Sequence, residues 1–152
     1  MRWWATAAAL LLATSAFGQL PVREKTTTWV DLTFEDANGD PAVPSTLSYR
    51  RDDRESGLEL TDDTTVTPLT PCPDGSPGCI TVKLEAAANV LVGLCKDKRT
   101  KCRTNGDCPT GSTPCAASTE AFQEQVMSLH WSFPDGEARD RVVLKVQNLE
   151  FQ

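Results

Sequence analysis

The sequence is poor in the side chains on which most catalytic sites depend. Its 152 residues include one histidine, His130, and one tyrosine, Tyr49. It lacks a G-x-S-x-G nucleophile elbow, an H-E-x-x-H metal motif and a glycine-rich phosphate loop. These absences argue against the common hydrolytic, zinc-dependent and nucleotide-dependent mechanisms. The sequence therefore predicts a protein that is not an enzyme and has no catalytic residue or cofactor.

Long apolar runs are also scarce. The one run of apolar and small residues, at residues 5–17, is shorter than the roughly 20 residues needed to cross a bilayer. Ala16 and Gly18 occupy the −3 and −1 positions of a cleavage site before Gln19. A buried N-terminal helix is the alternative, but the run shows no amphipathic stripe. Residues 1–18 are therefore predicted to be a cleavable signal peptide.

The mature chain, residues 19–152, is long enough for one domain with one core. The sequence has no second long apolar run, so we expect no membrane insertion after cleavage. A chain that carries an export signal is expected to be secreted or periplasmic.

Positive charge is in the minority, since 15 lysines and arginines stand against 21 aspartates and glutamates, a net charge of −6. A chain of this sign gains no affinity for phosphate backbones by counterion release, so nucleic acid is not an expected partner. One local exception is a basic cluster of Lys96, Lys98, Arg99, Lys101 and Arg103. We expect a solvated loop face there. A docking patch for an anionic partner is the alternative, and Lys98, Arg99, Lys101 and Arg103 are its candidate contact residues.

Alternation with a period of two dominates the rest of the chain. Val30, Leu32 and Phe34 share one face of a predicted strand. Further strands are predicted near residues 47–51, 58–61, 64–67, 80–84, 127–133 and 142–146. Pro134-Asp135-Gly136 predicts a hairpin between the last two. Residues 86–92 fit either one helical turn or a brief strand. About seven short strands without a long helix predict an all-β antiparallel sandwich.

All six cysteines lie beyond the predicted signal peptide, and an even number in an exported chain predicts disulfides. Cys72 and Cys79 flank a run of turn residues, which favours a local disulfide between them. Cys95, Cys102, Cys108 and Cys115 lie in residues 94–118, a segment with almost no aliphatic side chains. We expect a loop insertion stapled by two disulfides, for which three pairings are possible. Without a C-x2-C knuckle, a metal site is not expected.

Trp29 alternates with Val30 on its predicted strand, so its side chain faces away from the core and is a candidate contact residue. By the same alternation, Trp131 is predicted to pack in the core and His130 to face solvent. Asp36, Asn38 and Asp40 lack the spacing of a calcium loop and predict an ordinary turn, with a weak calcium site as the alternative. A paired-carboxylate hydrolase is conceivable among the acidic turn residues, although solvated faces are their more usual use. These acidic residues are Asp52, Asp53, Glu55, Asp62 and Asp63.

Three segments together resemble a small immunoglobulin-like β-sandwich family of bacterial genomes, often found in prophages and tailed-phage gene clusters. They are WVDLTFEDANGDPAVPSTLSY at residues 29–49, ITVKLEAAANVL at 80–91 and QVMSLHWSFPDGEARDRVVLKVQNL at 125–149. The resemblance covers about half of the mature chain. It implies an immunoglobulin-like sandwich used for structure or adhesion, with no catalytic residues. Residues 102–111 also resemble the "DCP-x-G" cysteine modules of secreted bacterial proteins.

The chain differs from that family in its predicted export signal and its four-cysteine insertion. Both differences favour an envelope or extracellular role. We therefore expect an exported structural or binding module of the adhesion type, with a protein or a surface as its partner. A phage-derived virion component is one alternative, and a small secreted carboxylate-dependent hydrolase is another.

Overall fold

The protein is described by a computed structural model that covers residues 19–149. The predicted signal peptide at residues 1–18 lies outside the described residues. The described part contains ten β-strands, a 3₁₀ turn at Asn105–Asp107 and no α-helix. The strands are β1 (Leu20–Arg23), β2 (Thr28–Thr33), β3 (Thr46–Asp53), β4 (Glu59–Thr65), β5 (Thr70–Pro71), β6 (Cys79–Leu84), β7 (Gly93–Leu94), β8 (Lys101–Cys102), β9 (Phe122–Phe133) and β10 (Gly136–Gln147).

These strands form three sheets. The first has five strands in the order β1-β10-β9-β3-β4, the second has the order β2-β6-β5, and the third is the short pair β7-β8. Only the β1–β10 pair is parallel, and every other pair in the described residues is antiparallel. The prediction of an all-β, largely antiparallel protein is confirmed. The expected number of about seven strands is too low.

The predicted hairpin at Pro134-Asp135-Gly136 joins the two longest strands. β9 and β10 each contain 12 residues and pair along their whole length, from Gly136 opposite Phe133 to Gln147 opposite Phe122. β9 also pairs with β3 on its other side, so it is the central strand of the five-stranded sheet. Because a strand alternates its faces, Met127, Leu129 and Trp131 are all buried on one side of β9.

One hydrophobic cluster draws side chains from both larger sheets. Its members are Val22, Val30, Leu32, Phe34, Leu47, Tyr49, Ile80, Val82, Leu84, Met127, Leu129, Trp131, Leu144 and Val146. The rings of Phe34 and Trp131 meet edge to face with their centroids 5.2 Å apart. Trp131 is 5% exposed, so its predicted place in the core is confirmed. Such burial is the main stabilising contribution in a domain of this size.

Several elements differ from the sequence prediction. The sequence predicts separate strands at residues 58–61 and 64–67, but β4 runs through Glu59–Thr65 with an irregular register against β3. A single turn follows β6, where the amides of Ala88 and Asn89 donate to Glu85 O at 2.9 and 3.2 Å. The alternation pattern does not predict β1, β5, β7 or β8. Each is only two to four residues long, which is too short to show a period.

The Asp36 turn has the geometry that its sequence predicts. Asp36 Oδ1 accepts the amides of Asn38 at 2.8 Å and Asp40 at 3.1 Å, and Gly39 adopts a φ of 85°. The backbone hydrogen bond from Asn38, followed by that from Asp40, lowers the pKa of Asp36. This carboxylate therefore organises the chain reversal after β2.

Candidate interaction surface

The cysteine-rich insertion is a small folded unit. β7 and β8 pair as a hairpin, with Gly93 opposite Cys102, and the chain then returns so that Leu94 bridges Ala116. The return is very close, because a Cβ on Gly93 would lie 2.0 Å from Ala116 O. Only glycine fits there without moving the backbone.

Disulfides take the place of an apolar core inside the insertion. Cys95 pairs with Cys108 and Cys102 with Cys115, so the two cross-links overlap along the chain. Cys95 and Cys102 are almost completely buried, and the sulfurs of Cys95, Cys102 and Cys108 lie within 4.8 Å of one another. The structure thus selects one of the three pairings that the sequence allows.

The third disulfide joins Cys72 to Cys79, as the sequence predicts. It closes a turn in which Asp74 accepts the amide and hydroxyl of Ser76 at 2.9 and 2.7 Å. Gly78, at the end of this turn, packs against the chain after β2, since a Cβ there would lie 2.5 Å from Phe34 O. This disulfide therefore fixes the entry to β6.

Two of the predicted contact residues hold the insertion against the β3–β4 hairpin. Arg103 Nη1 donates to Leu60 O at 2.5 Å. Lys101 Nζ lies 3.0 Å from Glu55 and 3.4 Å from Glu120, and its side chain is only 11% exposed. Burial alone lowers the pKa of Lys101, but its bond to Glu55 and the charge of Glu120 outweigh burial and raise it. These two cations are thus engaged within the molecule.

The tip of the insertion is a tight turn between Cys95 and Thr100. The amide of Lys98 donates to Cys95 O at 2.8 Å, and the amide of Cys95 donates to Thr100 O at 2.9 Å. Inside the turn, Asp97 accepts the amides of Arg99 and Thr100, both at 2.9 Å, and the Thr100 hydroxyl at 2.7 Å. The backbone bond from Thr100 is the largest cause of the lowered pKa of Asp97. This carboxylate is therefore committed to the shape of the turn.

The remaining cations project from that turn. Lys96, Lys98 and Arg99 are exposed, and none forms a salt bridge with a residue in the described range 19–149. Lys98 has a φ of 57°, an uncommon conformation for a residue with a Cβ, and the surrounding hydrogen bonds hold it there. The tip thus presents three cations on a fixed backbone. We call Lys96, Lys98 and Arg99 the tip cations.

Side-chain amides fix the chain that leads into the insertion. Gln123 on β9 accepts the Val92 amide and donates to the Val92 carbonyl, both at 2.6 Å, so it pairs with Val92 as a neighbouring strand would. Gln125 donates to Val90 O at 2.8 Å. Asn89 donates to Thr26 O at 2.6 Å and to Leu84 O at 3.3 Å. The base of the insertion is thereby tied to both larger sheets.

A fully buried arginine lies at the centre of these amides. Arg51 Nη1 donates to Asn89 Oδ1 at 2.6 Å, and Nη2 donates to Gln125 Oε1. Its Nε has no hydrogen-bond partner among the described residues. Burial is the largest cause of its lowered pKa, which falls to about 10; Tyr49 opposes this change and Arg103 adds to it. Arg51 is therefore a structural cation that neutral amides hold in place.

Sequence reasoning misses this buried polar group, although a signal for it exists. The alternation that places Leu47 and Tyr49 inside continues to Arg51 and Asp53, and all four are buried. Gln123 and Gln125 likewise continue the buried face of β9. Polar residues on a core face predict a buried network, because such groups are seldom buried without partners.

Trp29, the other predicted contact residue, lies on β2 in a different sheet from the insertion. Its side chain is 61% exposed, and Lys83 Nζ on the neighbouring strand lies 5.9 Å from the ring centroid. Asp31, two residues further along the same face, accepts the Thr81 hydroxyl at 2.6 Å. The predicted outward orientation of Trp29 is confirmed.

His130 lies on the outer face of the five-stranded sheet, where its Nε2 is 3.2 Å from Glu137 and its side chain is 41% exposed. It borders a groove of about 680 Å³ that Arg50, Asp52, Arg139 and Arg141 also line. Asp52 forms a salt bridge of 2.8 Å with Arg50.

Two other acidic turn residues also have structural partners. Asp53 is buried and accepts both the amide and the hydroxyl of Ser56 at 2.8 and 2.6 Å. Glu55 pairs with Lys101. Asp62 and Asp63 are exposed on β4. Asp52 and Asp63 both line the groove beside His130, whereas Asp53 and Glu55 line a different groove.

Three disulfides indicate an oxidising, extracytoplasmic location. Within residues 19–149, no helix is long and apolar enough to span a membrane. Comparison with protein-family models, curated proteins and solved structures finds no match in any of the three.

Proposed function

We propose that the protein is an exported, non-catalytic binding module, secreted or periplasmic, that uses the cysteine-rich insertion as its contact surface. In this proposal the larger sheets form an immunoglobulin-like sandwich that holds the insertion in place. The ligand is a dense array of anionic groups on a cell surface or an extracellular polymer.

The order of the strands supports the immunoglobulin-like part of the proposal. If β2, β3, β6, β9 and β10 are named B, C, E, F and G, then β4 takes the place of C′, β5 of D and β1 of a first strand beside G. The sheets then have the orders A′-G-F-C-C′ and B-E-D, close to those of immunoglobulin domains. The shared hydrophobic cluster supplies the interior of such a sandwich.

The observation that carries the functional proposal is the unequal use of the basic cluster. Lys101 and Arg103 hold the insertion against the β3–β4 hairpin, whereas the tip cations form no salt bridge within residues 19–149. The charge of Arg99 only adds to the lowering of the Asp97 pKa, of which the Thr100 amide is the largest cause. Overlapping disulfides and the Asp97 turn fix the backbone that carries them. A preorganised set of charges loses little conformational entropy on binding, which favours affinity.

The net negative charge of the whole chain favours one orientation of the protein at an anionic surface, with the tip cations facing that surface. With a net charge of −6, most of the molecule is repelled by an anionic surface. The tip cations are a local exception, so approach through the insertion is the favoured orientation. Binding of this kind weakens as salt is added.

The test is a pair of charge-reversal variants with the same change in net charge. One carries K96E, K98E and R99E at the tip. The control carries R23E, R139E and R141E, which reverse three exposed arginines elsewhere on the molecule. Binding to immobilised heparin, and to phosphatidylglycerol vesicles with phosphatidylcholine vesicles as the neutral arm, is measured at low and physiological salt. The tip variant should bind roughly tenfold or more weakly than the control.

Equal losses in both variants would show that overall charge, and not the tip, governs binding. Absence of salt-dependent binding to both anionic probes would contradict the proposed ligand chemistry. Melting temperatures of the two variants establish that each remains folded.

A further inference from the structure

The outer edges of the two larger sheets differ in how they are protected. The five-stranded sheet ends in β1 and β4, and the three-stranded sheet ends in β2 and β5. An open edge presents unpaired backbone N–H and C=O groups, and stable monomers usually blunt it with proline, charge or a covering segment. Three of these four edges are blunted.

Each of these three edges has an identifiable feature that disfavours pairing with another strand. β1 is four residues long and contains Pro21, and β5 is two residues long and ends in Pro71. β4 carries Asp62 and Asp63, and Arg103 from the insertion occupies its Leu60 carbonyl at 2.5 Å. Proline cannot donate to a new ladder, and a carbonyl that already accepts a strong bond is less available.

β2 has none of these protective features. Its six residues, TWVDLT, include no proline or lysine, and its one charged side chain already accepts the Thr81 hydroxyl. Its register with β6 continues to Phe34, whose amide donates to Gly78 O at 2.9 Å. Because antiparallel strands alternate bonded and non-bonded pairs, the backbones of Thr28, Val30 and Leu32 then face β6.

The alternate residues of β2 are Trp29, Asp31 and Thr33, and their backbone N–H and C=O groups therefore face the open edge. None of the three has a backbone hydrogen bond beyond the β6 ladder among residues 19–149. Trp29 adds an indole that is 61% exposed beside this edge. Backbone groups and an aromatic anchor together are what strand addition uses for binding.

We propose that a second copy of this chain pairs antiparallel along β2 and joins two three-stranded sheets into one continuous sheet. A two-fold axis at Val30 brings the outward-facing residues of the two strands together over residues 27–33. In this register Trp29 of one copy lies opposite Asp31 of the other, where the indole N–H donates to the carboxylate. A register centred on Asp31 places two carboxylates opposite each other and is disfavoured.

A second copy of the chain is the partner that fits this edge, because β2 of one copy presents hydrogen-bond donors and acceptors that complement those of β2 in the other. The indole N–H of Trp29 has no hydrogen-bond acceptor among the described residues, and Asp31 has a second carboxylate oxygen beyond the one that Thr81 occupies. Closed two-fold symmetry is the commonest form of protein self-association. This interface involves no residue of the insertion, so it stands or falls independently of the proposed function.

Two measurements on the exported protein with its disulfides intact test the interface. Sedimentation over a wide concentration range should show a monomer–dimer equilibrium. Amide hydrogen exchange followed by NMR should slow with concentration at Trp29, Asp31 and Thr33. Exchange at Val30 and Leu32 should be slow at every concentration, since these amides already face β6.

A matched pair of variants isolates the backbone contribution. T33P removes an amide that faces the open edge, whereas T33A removes the same side chain and keeps the amide. The dimer dissociation constant of T33P should be roughly tenfold higher than that of T33A, because two equivalent hydrogen bonds are lost across the two-fold axis.

A protein that remains monomeric at every concentration would overturn the proposal. So would a dimer in which exchange at the three outward-facing amides is independent of concentration. If T33P fails to fold, exchange in the wild-type protein alone decides between these outcomes.

Discussion

The larger sheets and the cysteine-rich insertion hold their shapes by different means. The two larger sheets contribute to one cluster of buried aliphatic and aromatic side chains, from Val22 in β1 to Val146 in β10. In the insertion, by contrast, Cys95 and Cys102 are the buried hydrophobic side chains, and two disulfides and a set of carboxylate-capped turns hold the backbone in place. A segment too polar to form a core is thus made rigid by covalent and local polar bonds.

This difference has a consequence for cooperativity. Core residues of both larger sheets belong to one cluster, so removing one weakens both sheets. The disulfides and turn hydrogen bonds of the insertion join its own residues, and it contacts the rest of the protein through Lys101 and Arg103 at the hairpin and through Gln123 at its base. We therefore expect damage to the sheets to act globally and damage to the insertion to act locally.

The largest expected effect is that of W131A. Trp131 is 5% exposed and meets the Phe34 ring edge to face, so its truncation leaves a cavity in the hydrophobic cluster and should lower the free energy of unfolding by about 3–5 kcal/mol. W29A, at an exposed position, should change it by less than about 0.5 kcal/mol. Denaturant unfolding of dilute protein measures both. Similar losses in the two variants would show that the cluster is not the main source of stability.

Removing one overlapping disulfide should have a large but local effect. In the double variant C102S/C115S the loop between these two positions, which are 13 apart in the sequence, is no longer closed. The insertion should lose about 2–4 kcal/mol of local stability, with faster amide exchange across residues 93–116. Exchange in β3, β9 and β10 should be nearly unchanged. Loss of cooperative melting in the sheets would show that the insertion is part of the main core.

R51M tests the buried polar group that joins the two regions. The substitution leaves Asn89 Oδ1 and Gln125 Oε1 without their donors, which should cost about 1–3 kcal/mol of unfolding free energy. The matched control is R50M, since Arg50 makes its salt bridges with Asp52 and Glu59 on the outer face, and pairs of that kind contribute less than about 1 kcal/mol. A more stable R51M would mean that the cost of burying the guanidinium exceeds the benefit of its two bonds.

The smallest expected effect is the loss of local stability in the tip turn at low pH. The folded pKa of Asp97 lies below its ordinary value, so the stability that it lends to the turn is present above 3.8 and is lost as pH falls through the lower folded pKa. Amide exchange at Arg99 and Thr100 should therefore accelerate in that window, relative to the intrinsic rate. In D97N these two amides should show no such transition. A transition that persists in D97N would assign the effect to another carboxylate.

The sequence predicts the larger sheets well because the pattern of residues that specifies each strand lies within that strand. Side chains that alternate along residues 28–34, 80–84 and 127–133 need only one buried face to become strands, and each does. Similarly, the Asp135-Gly136 step encodes its own turn, and β9 and β10 pair around it. Packing of Trp131 in the core and exposure of Trp29 result from the same alternation.

Features that depend on distant residues are less accessible from the sequence. The pairing of Cys95 with Cys108 depends on how the β7–β8 hairpin meets the chain returning past Ala116, and no period in the sequence encodes that meeting. Lys101 and Arg103 are engaged within the molecule because of Leu60, Glu55 and Glu120, none of which is a sequence neighbour of the basic residues. The parallel pairing of β1 with β10 likewise joins opposite ends of the domain.

The overlap of the two disulfides also bears on proteolytic nicking. The tip places Lys96, Lys98 and Arg99 in an exposed turn, the kind of site that trypsin-like proteases cut. Any single cleavage between Cys95 and Cys115 falls inside at least one of the two closed loops, and a cut between Cys102 and Cys108 falls inside both. The severed ends therefore stay covalently joined, and a nicked molecule keeps its insertion.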